Sequence, residues 1–229
     1  MIGSNLRSEG QTDKPALHIE IFSDVVCPWC YIGKRRIETA LDAVQDRYES
    51  RVIWRPFELN PGMPPSGLER KAYLQRKFGS MEALQQLEAR VTAVGAADGI
   101  SFAFDRIQRT PNTFDAHRLI WHAQREELQD ETVEALFRRY FIEGADVGNK
   151  HVLIEIARVA GLNAEQVERD LSGDEGAAPV RKEEERGRNM GITGVPHFLI
   201  NGAYAISGAQ EPKTLVSAFD LVTRQTPIH

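Results

Sequence analysis

The sequence predicts an α/β fold in which a βαβ unit and a ββα unit are separated by a large all-helical insertion. A strand–helix–strand pattern comes first, helical patterns then run from residue 68 to about residue 189, and a hairpin signal with a last helix ends the domain. We therefore expect the α/β domain to be formed by residues 17–67 and 191–224, and the insertion by residues 68–190. Residues 1–16 are expected to be a flexible tail.

The βαβ unit is predicted from hydrophobic periodicity. Residues 17–22 alternate with period two and contain two isoleucines, which favours a strand. Residues 31–48 carry apolar side chains at helical spacing, and Pro28 fits the first turn of that helix because its missing N–H would be unpaired there. Residues 51–57 form the second strand candidate. Residues 58–67 contain three prolines and are predicted to be a loop.

The insertion and the end of the chain are predicted to be rich in helices. Helical spacing is found at 68–78, 81–97, 114–128, 131–143, 150–160, 164–171, 178–190 and 211–223. N-caps are expected at Thr113, Asp130, Asn149 and Asn163. The charges within 178–190 indicate a solvated helix face.

The last two strands are predicted from a turn signal. Residues 196–200 and 203–207 have strand character, and Asn201-Gly202 between them is typical of a two-residue hairpin loop. Composition alone does not assign a cis peptide bond before Pro196, because only about 5% of X-Pro bonds in folded proteins are cis.

Composition excludes several classes of protein. With 229 residues and 41% hydrophobic residues, the chain can bury a core and is not a disordered protein. A net charge of −5, without a basic block or a long apolar run, indicates neither a nucleic-acid partner nor a membrane partner. The first 15 residues lack the apolar core of a secretory signal, so we expect a cytoplasmic protein. We also expect it to be a monomer or a homodimer.

The two cysteines of the chain lie together in Cys27-Pro28-Trp29-Cys30. A disulfide closing so short a loop stabilises the fold by only about 2 kcal/mol, so redox chemistry is favoured over a structural bridge. The predicted helix start favours a thiolate at Cys27, which makes Cys27 the expected nucleophile and Cys30 the resolving thiol. Asp24 is interpreted first as a turn residue, and otherwise as a proton acceptor.

A metal site and an inert thiol pair are the alternatives to redox work. A structural zinc needs two further ligands, and the sequence has no third cysteine. His117 and His122 are five residues apart and would form an irregular pair at best. We therefore expect no metal site.

Beyond these patterns, the sequence resembles the DsbA-like family of thioredoxin-fold oxidoreductases, in particular its FrnE-type branch. The motifs that carry the resemblance cover most of residues 17–223. They are Phe22-Ser23-Asp24 before CPWC-Tyr31-Ile32-Gly33-Lys34, Phe57-Glu58-Leu59-Asn60-Pro61, Asn112-Thr113-Phe114-Asp115-Ala116-His117-Arg118-Leu119, Gly191-Ile192-Thr193-Gly194-Val195-Pro196 and Ser207-Gly208-Ala209-Gln210.

The resemblance implies a thioredoxin-like fold with a defined active site. Pro196 would be a cis-proline facing the two cysteines, with the backbone of Val195 available to a bound thiol or peptide. The helical insertion, with Asn112 and His117, would roof the site. His197 is either a polar lip of the site or a hydrogen-bonded strand residue, and His117 is favoured as a packing residue. Pro28 and Trp29 are expected at the substrate surface, with Trp29 exposed.

The resemblance also bears on the reaction. Relatives with serine in place of the first cysteine are glutathione-dependent isomerases of hydroxychromene carboxylates. Because this sequence keeps both cysteines, we expect a thiol-disulfide oxidoreductase that needs no cofactor, acts on a thiol or disulfide of a protein or of glutathione, and can use glutathione as co-substrate. A glutathione-dependent isomerase or transferase acting on a small aromatic compound is the alternative, and a metal-binding module is a weaker one.

Overall fold

A four-stranded mixed sheet lies at the centre of the molecule, in a computed structural model that describes residues 14–225. The strands are β1 Ala16–Ser23, β2 Glu49–Pro56, β3 Leu68–Glu69, β4 Arg109–Thr110, β5 His197–Ile200 and β6 Tyr204–Ser207. The sheet order is β2-β1-β5-β6, with β1 parallel to β2 and antiparallel to β5, and β5 antiparallel to β6. The short strands β3 and β4 pair separately.

Nine α-helices are found within residues 14–225. They are α1 Pro28–Asp42, α2 Arg70–Phe78, α3 Met81–Ala97, α4 Phe114–Arg125, α5 Gln129–Phe141, α6 Lys150–Val159, α7 Ala164–Ser172, α8 Ala177–Asn189 and α9 Pro212–Gln225. The order βαβ, helices, ββα confirms the predicted fold class. Of the tail expected at residues 1–16, residues 1–13 lie outside the described residues. Ala16, the last residue of that range, belongs to β1.

The two faces of the sheet are covered by different helices. Ile19 and Ile21 of β1 belong to the main core, which also contains the apolar residues of α1 and α9. Phe22 points to the opposite face, where it packs with Phe57 and Ile192 and lies against α8. This alternation follows from the period of two along a strand.

The helical block, α2 to α7, joins the sheet at the edge strand β2. The backbone N–H of Trp54 donates to Oε1 of Gln129 at 2.9 Å, and Nε2 of Gln129 donates to the Trp54 carbonyl at 3.1 Å. The side-chain amide of Gln129 thus occupies the hydrogen-bonding positions of a further strand, which protects this edge.

Several predicted boundaries are corrected by the structure. Leu68 and Glu69 form β3 rather than the start of a helix, and α5 is capped by Leu128, so Asp130 lies in the first turn. Asn149 and Asn163 are N-caps as predicted, since each side chain accepts a backbone N–H. Thr113 stands at the N-cap of α4 without a side-chain hydrogen bond.

Two further corrections concern the chain reversals. The hairpin loop has three residues, because Ile200 pairs directly with Tyr204. Helix α4 ends at Arg125 instead of residue 128, and Glu127 beyond it adopts a φ of 59°. Leu128, an apolar residue after the turn, continues the helical spacing in the sequence, so the predicted end of α4 was three residues too late.

Gly33 lets α1 approach the strand that follows the helical block. A Cβ at this position would lie 2.9 Å from Cγ of Pro196 and 3.4 Å from Cζ of Phe198. Both contacts are with rings held in the core, so neither can move aside cheaply. Glycine is therefore required where the cysteine-bearing helix crosses Pro196.

We expect Gly33→Ala to lower the free energy of unfolding by about 1 to 3 kcal/mol, although alanine is intrinsically the better helix former. Chemical denaturation measures this loss. Gly62→Ala is the matched control, because a Cβ there meets nothing within 4 Å. An unchanged or increased stability of Gly33→Ala would contradict the assigned contact.

Candidate active site

The CPWC sequence forms the beginning of α1, as predicted. Cys27 is the N-cap residue with φ −93° and ψ 112°, Pro28 opens the helix, and the N–H of Cys30 donates to the Cys27 carbonyl at 3.0 Å. The N–H of Cys27 donates to the Asp24 carbonyl at 3.0 Å. Both cysteines are free thiols and are buried, with exposed fractions of 5% for Cys27 and 1% for Cys30.

The Cys27 thiol faces the segment that precedes β5. Its Sγ donates to the carbonyl of Val195 at 3.5 Å, and the Val195-Pro196 peptide bond is cis. The structure thus brings Cys27 next to the Val195-Pro196 pair, which begins 168 residues further along the chain. The cis bond that the family resemblance implied is confirmed.

The two thiols have different surroundings. Burial holds the pKa of the Cys30 thiol well above its ordinary value, and a hydrogen bond with Cys27 and the charge of Cys27 raise it further. Hydrogen bonds with Ser23 and with the backbone of Asp24 act in the opposite direction but do not outweigh these effects. Burial therefore favours the neutral thiol at Cys30, which fits its expected role as the resolving cysteine.

Asp24 is a buried turn residue that also contacts the helical block. Its Oδ2 accepts the N–H of Leu59 at 2.7 Å, and its Oδ1 accepts the N–H of Val26 at 3.4 Å. The same Oδ1 lies 3.7 Å from Nε2 of His117 on α4. The turn role that the sequence favoured is observed, and the carboxylate additionally faces a buried histidine.

His117 and three carboxylates form a buried cluster near Cys27, made up of Asp24, Glu58, His117 and Glu184. The N–H of Glu58 donates to Oε1 of Glu184 at 2.8 Å. Burial and the charge of Glu184 raise the pKa of Glu58 to about 7, against the opposing charge of His117. Burial lowers the pKa of His117, but Asp24 and the two glutamates outweigh it, so that pKa is raised overall.

Sequence reasoning missed the two glutamates of this cluster. Glu184 was part of the charge run interpreted as a solvated face, yet it is buried beside the backbone of Glu58. Glu58 lies in a motif that carried the family resemblance, and its position between Phe57 and Leu59 was the only hint of burial in the sequence.

A cavity of about 320 Å³ lies between α1 and the helical block. Cys27, Pro28 and Trp29 form one wall of it, and residues of α2 and α3 form another. Trp29 is half-buried in this wall. It is therefore not the exposed contact surface that the sequence favoured.

Two of the predicted site residues, His197 and Asn112, make contacts with residues other than the cysteines. His197 begins β5 on the sheet face opposite α1, where its Nδ1 is 3.0 Å from Oγ of Ser207 and its ring meets Phe22 edge-on. Burial lowers the pKa of His197 and favours the neutral ring. Asn112 donates to the Met63 carbonyl at 2.7 Å and accepts the N–H of Phe114 at 3.0 Å, so its amide joins a loop to the start of α4.

Residues 18–220, which include the cysteine pair, the cis-proline and the helical block, match the model of the DSBA-like thioredoxin domain. The chain belongs to this family. The resemblance seen in the sequence is thereby confirmed, and a thioredoxin-like DsbA fold with a helix-rich insertion accounts for the observed architecture.

Solved structures and a curated relative support the same family. A probable DsbA oxidoreductase of Streptomyces coelicolor is 35% identical, with a TM-score of 0.86 and 93% of each chain covered. A 2-hydroxychromene-2-carboxylate isomerase is 14% identical with a TM-score of 0.70, over 91% of this chain and 97% of the other, and shares the fold. The Bacillus subtilis protein YwbO is 25% identical over 64% of this chain and 68% of its own length.

Among the helices within residues 14–225, none has both the length and the apolar character needed to cross a bilayer.

The buried cluster predicts a pH-dependent stability. Because the pKa of Glu58 is raised to about 7, the folded protein binds the proton of the Glu58 carboxyl more tightly than the unfolded chain does. The protonated carboxyl therefore stabilises the fold at low pH, and this stabilisation is lost as the pH rises from about 4.5 to 7. Glu58→Gln removes this dependence. We expect the free energy of unfolding of Glu58→Gln, minus that of the wild type, to be higher at pH 8 than at pH 5 by about 1 to 3 kcal/mol. Chemical denaturation at the two pH values measures this difference.

The control is Glu168→Gln on the exposed surface of α7, which should differ from the wild type by the same amount at both pH values. A constant difference for Glu58→Gln as well would show that Glu58 is ionised throughout this range.

Proposed function

We propose that the protein is a thiol-disulfide oxidoreductase in which Cys27 attacks and Cys30 resolves. The observation that carries the proposal is the position of the Cys27 thiol, at the N-cap of α1 and 3.5 Å from the Val195 carbonyl before cis-Pro196. A helix N-terminus favours negative charge on the first thiol, and the second thiol is one turn away, within reach of a disulfide.

The proposed reaction proceeds through a mixed disulfide. The Cys27 thiolate attacks one sulfur of a substrate disulfide, forms a new S–S bond and releases the other substrate sulfur as a thiolate, which takes up a proton. Cys30 then loses its proton and attacks Sγ of Cys27, which releases the second substrate thiol. The substrate gains two electrons, and the Cys27–Cys30 pair loses them. No bound cofactor is needed, because both electrons pass through the two thiols.

The difference between the two thiols supports this order. The raised pKa of Cys30 keeps that thiol protonated in the resting state, so the mixed disulfide forms at Cys27 first. Once Cys27 is bonded to the substrate, its negative charge is gone and no longer opposes ionisation of Cys30.

Glutathione is the thiol that we propose as electron donor or co-substrate, acting in the cytoplasm. A cytosolic disulfide reductase of Pseudomonas aeruginosa, determined with GSH, shares the fold at 15% identity and a TM-score of 0.63, over 90% of this chain and 99% of the other. Cytoplasmic glutathione keeps protein thiols reduced, and would return an oxidised Cys27–Cys30 pair to the dithiol.

An isomerase or transferase acting on a small aromatic compound is the second candidate, because the cavity beside Cys27 is mostly apolar and has the size of a small-molecule site. It differs from the first candidate in using the thiol of glutathione, since the isomerases that the sequence resembles have serine in place of the first cysteine. Isomerase or transferase activity that survives in Cys27→Ser would favour it.

The first candidate predicts different behaviour of the two cysteine variants towards bis(2-hydroxyethyl) disulfide. Cys27→Ser is expected to lose all disulfide reduction. When no other thiol is added, Cys30→Ser is expected to stop at a stable mixed disulfide on Cys27, detectable by intact-protein mass spectrometry, because the chain has no second thiol to release it.

Iodoacetamide labelling of the reduced wild type is the accompanying control. At pH 7, Cys27 is expected to be alkylated before Cys30, in line with the raised pKa of Cys30. Faster alkylation of Cys30 would reverse the assigned roles.

A further inference from the structure

The side chain of Cys27 lies in the wall of the cavity and is almost fully covered. Only 5% of Cys27 is exposed, yet the residue belongs to the wall of the 320 Å³ cavity. A small molecule that occupies the cavity can therefore bring a sulfur atom within bonding distance of this thiol.

The cavity walls are mainly apolar. Leu84, Leu87 and Val91 of α3 project into it from one side, and Phe104 and Phe141 contribute aromatic surface. The volume is at the small end of the range for small-molecule sites, which is about 300 to 1,000 Å³. Such walls favour an apolar body on the part of a ligand that they enclose.

The charges at the cavity are already compensated or lie at its open end. The guanidinium of Arg70 pairs with Glu88 at 2.8 Å. Nζ of Lys77 lies over the rings of Tyr73 and Phe78, at 5.7 and 5.8 Å from their centroids, and Phe78 is exposed. Asp24, which also lines the cavity, accepts the backbone N–H groups of Leu59 and Val26. Each charged side chain among the described lining residues thus has a contact of its own, and a neutral ligand fits the cavity best.

We propose that the substrate is a low-molecular-weight disulfide with a neutral, apolar body of about the size of a benzyl group. This inference rests on the proposed function and names the substrate class for the same site. The Cys27 thiolate attacks the sulfur attached to the apolar group, the S–S bond of the substrate breaks, and the other half leaves as a thiol after protonation. The apolar half stays in the cavity, bonded to Cys27, until Cys30 displaces it as a second thiol.

The test uses an unsymmetrical probe, benzyl 2-hydroxyethyl disulfide, with the full-length Cys30→Ser variant. Attack by Cys27 leaves either the benzylthio half or the hydroxyethylthio half on the protein, and intact mass distinguishes them. Burial of the aromatic ring is expected to favour the benzylthio adduct by about tenfold over the ratio found for the same variant unfolded in denaturant. The unfolded chain gives the intrinsic preference of the thiol.

A cavity-filling variant makes the test specific. Leu87→Trp, combined with Cys30→Ser, is expected to reduce the preference for the benzylthio half by about fivefold, because the indole occupies the space of the ring. Leu221→Trp is the control on the exposed side of α9, where the preference should not change.

The outcomes separate the two proposals. A folded-state ratio equal to the unfolded ratio, or no difference between Leu87→Trp and Leu221→Trp, would overturn the apolar substrate class while leaving the thiol chemistry in place. Faster oxidation of the reduced wild type by insulin than by the benzyl probe would also overturn it. If no adduct forms on Cys27 in the folded protein, the proposed function itself fails.

Discussion

The packing of Tyr31 against the helical block is the contact on which the active site depends. Tyr31 directly follows Cys30 and stacks on Phe137 of α5 with ring centroids 5.0 Å apart, while its hydroxyl donates to Oε1 of Glu134 at 2.9 Å. One turn further on, the buried Lys34 pairs with Asp130 of the same helix at 2.8 Å. These contacts hold the start of α1 under the block, and so create both the burial of Cys27 and the cavity beside it.

Burial has a second effect, because it strengthens the interactions between charges near the thiols. In a medium of low dielectric constant, neighbouring charges act more strongly than they do in water. The raised pKa values of Cys30 and Glu58 both have burial as their largest cause. Burial at this end of α1 therefore both restricts access to Cys27 and raises the pKa of the Cys30 thiol.

Local patterns predicted the fold because each depends on residues close together in the chain. The strand alternation of β1 and the helical spacing of α3, whose limits 81–97 agree with the structure, need no knowledge of the tertiary fold. The helix-start position of the CPWC residues was predicted for the same reason. The burial of Glu184 could not be, because it results from packing against Glu58, 126 residues away. Trp29 likewise looked exposed until α2 and α3 were placed over it.

The helical block contributes to the chemistry of the site as well as covering it. Asp24 joins three parts of the molecule, since its backbone carbonyl holds the N–H of Cys27, its Oδ2 holds Leu59, and its Oδ1 faces His117 on α4. The raised pKa of His117 favours a positive ring beside a buried carboxylate. The block therefore brings a buried, titratable histidine against the short turn that precedes Cys27.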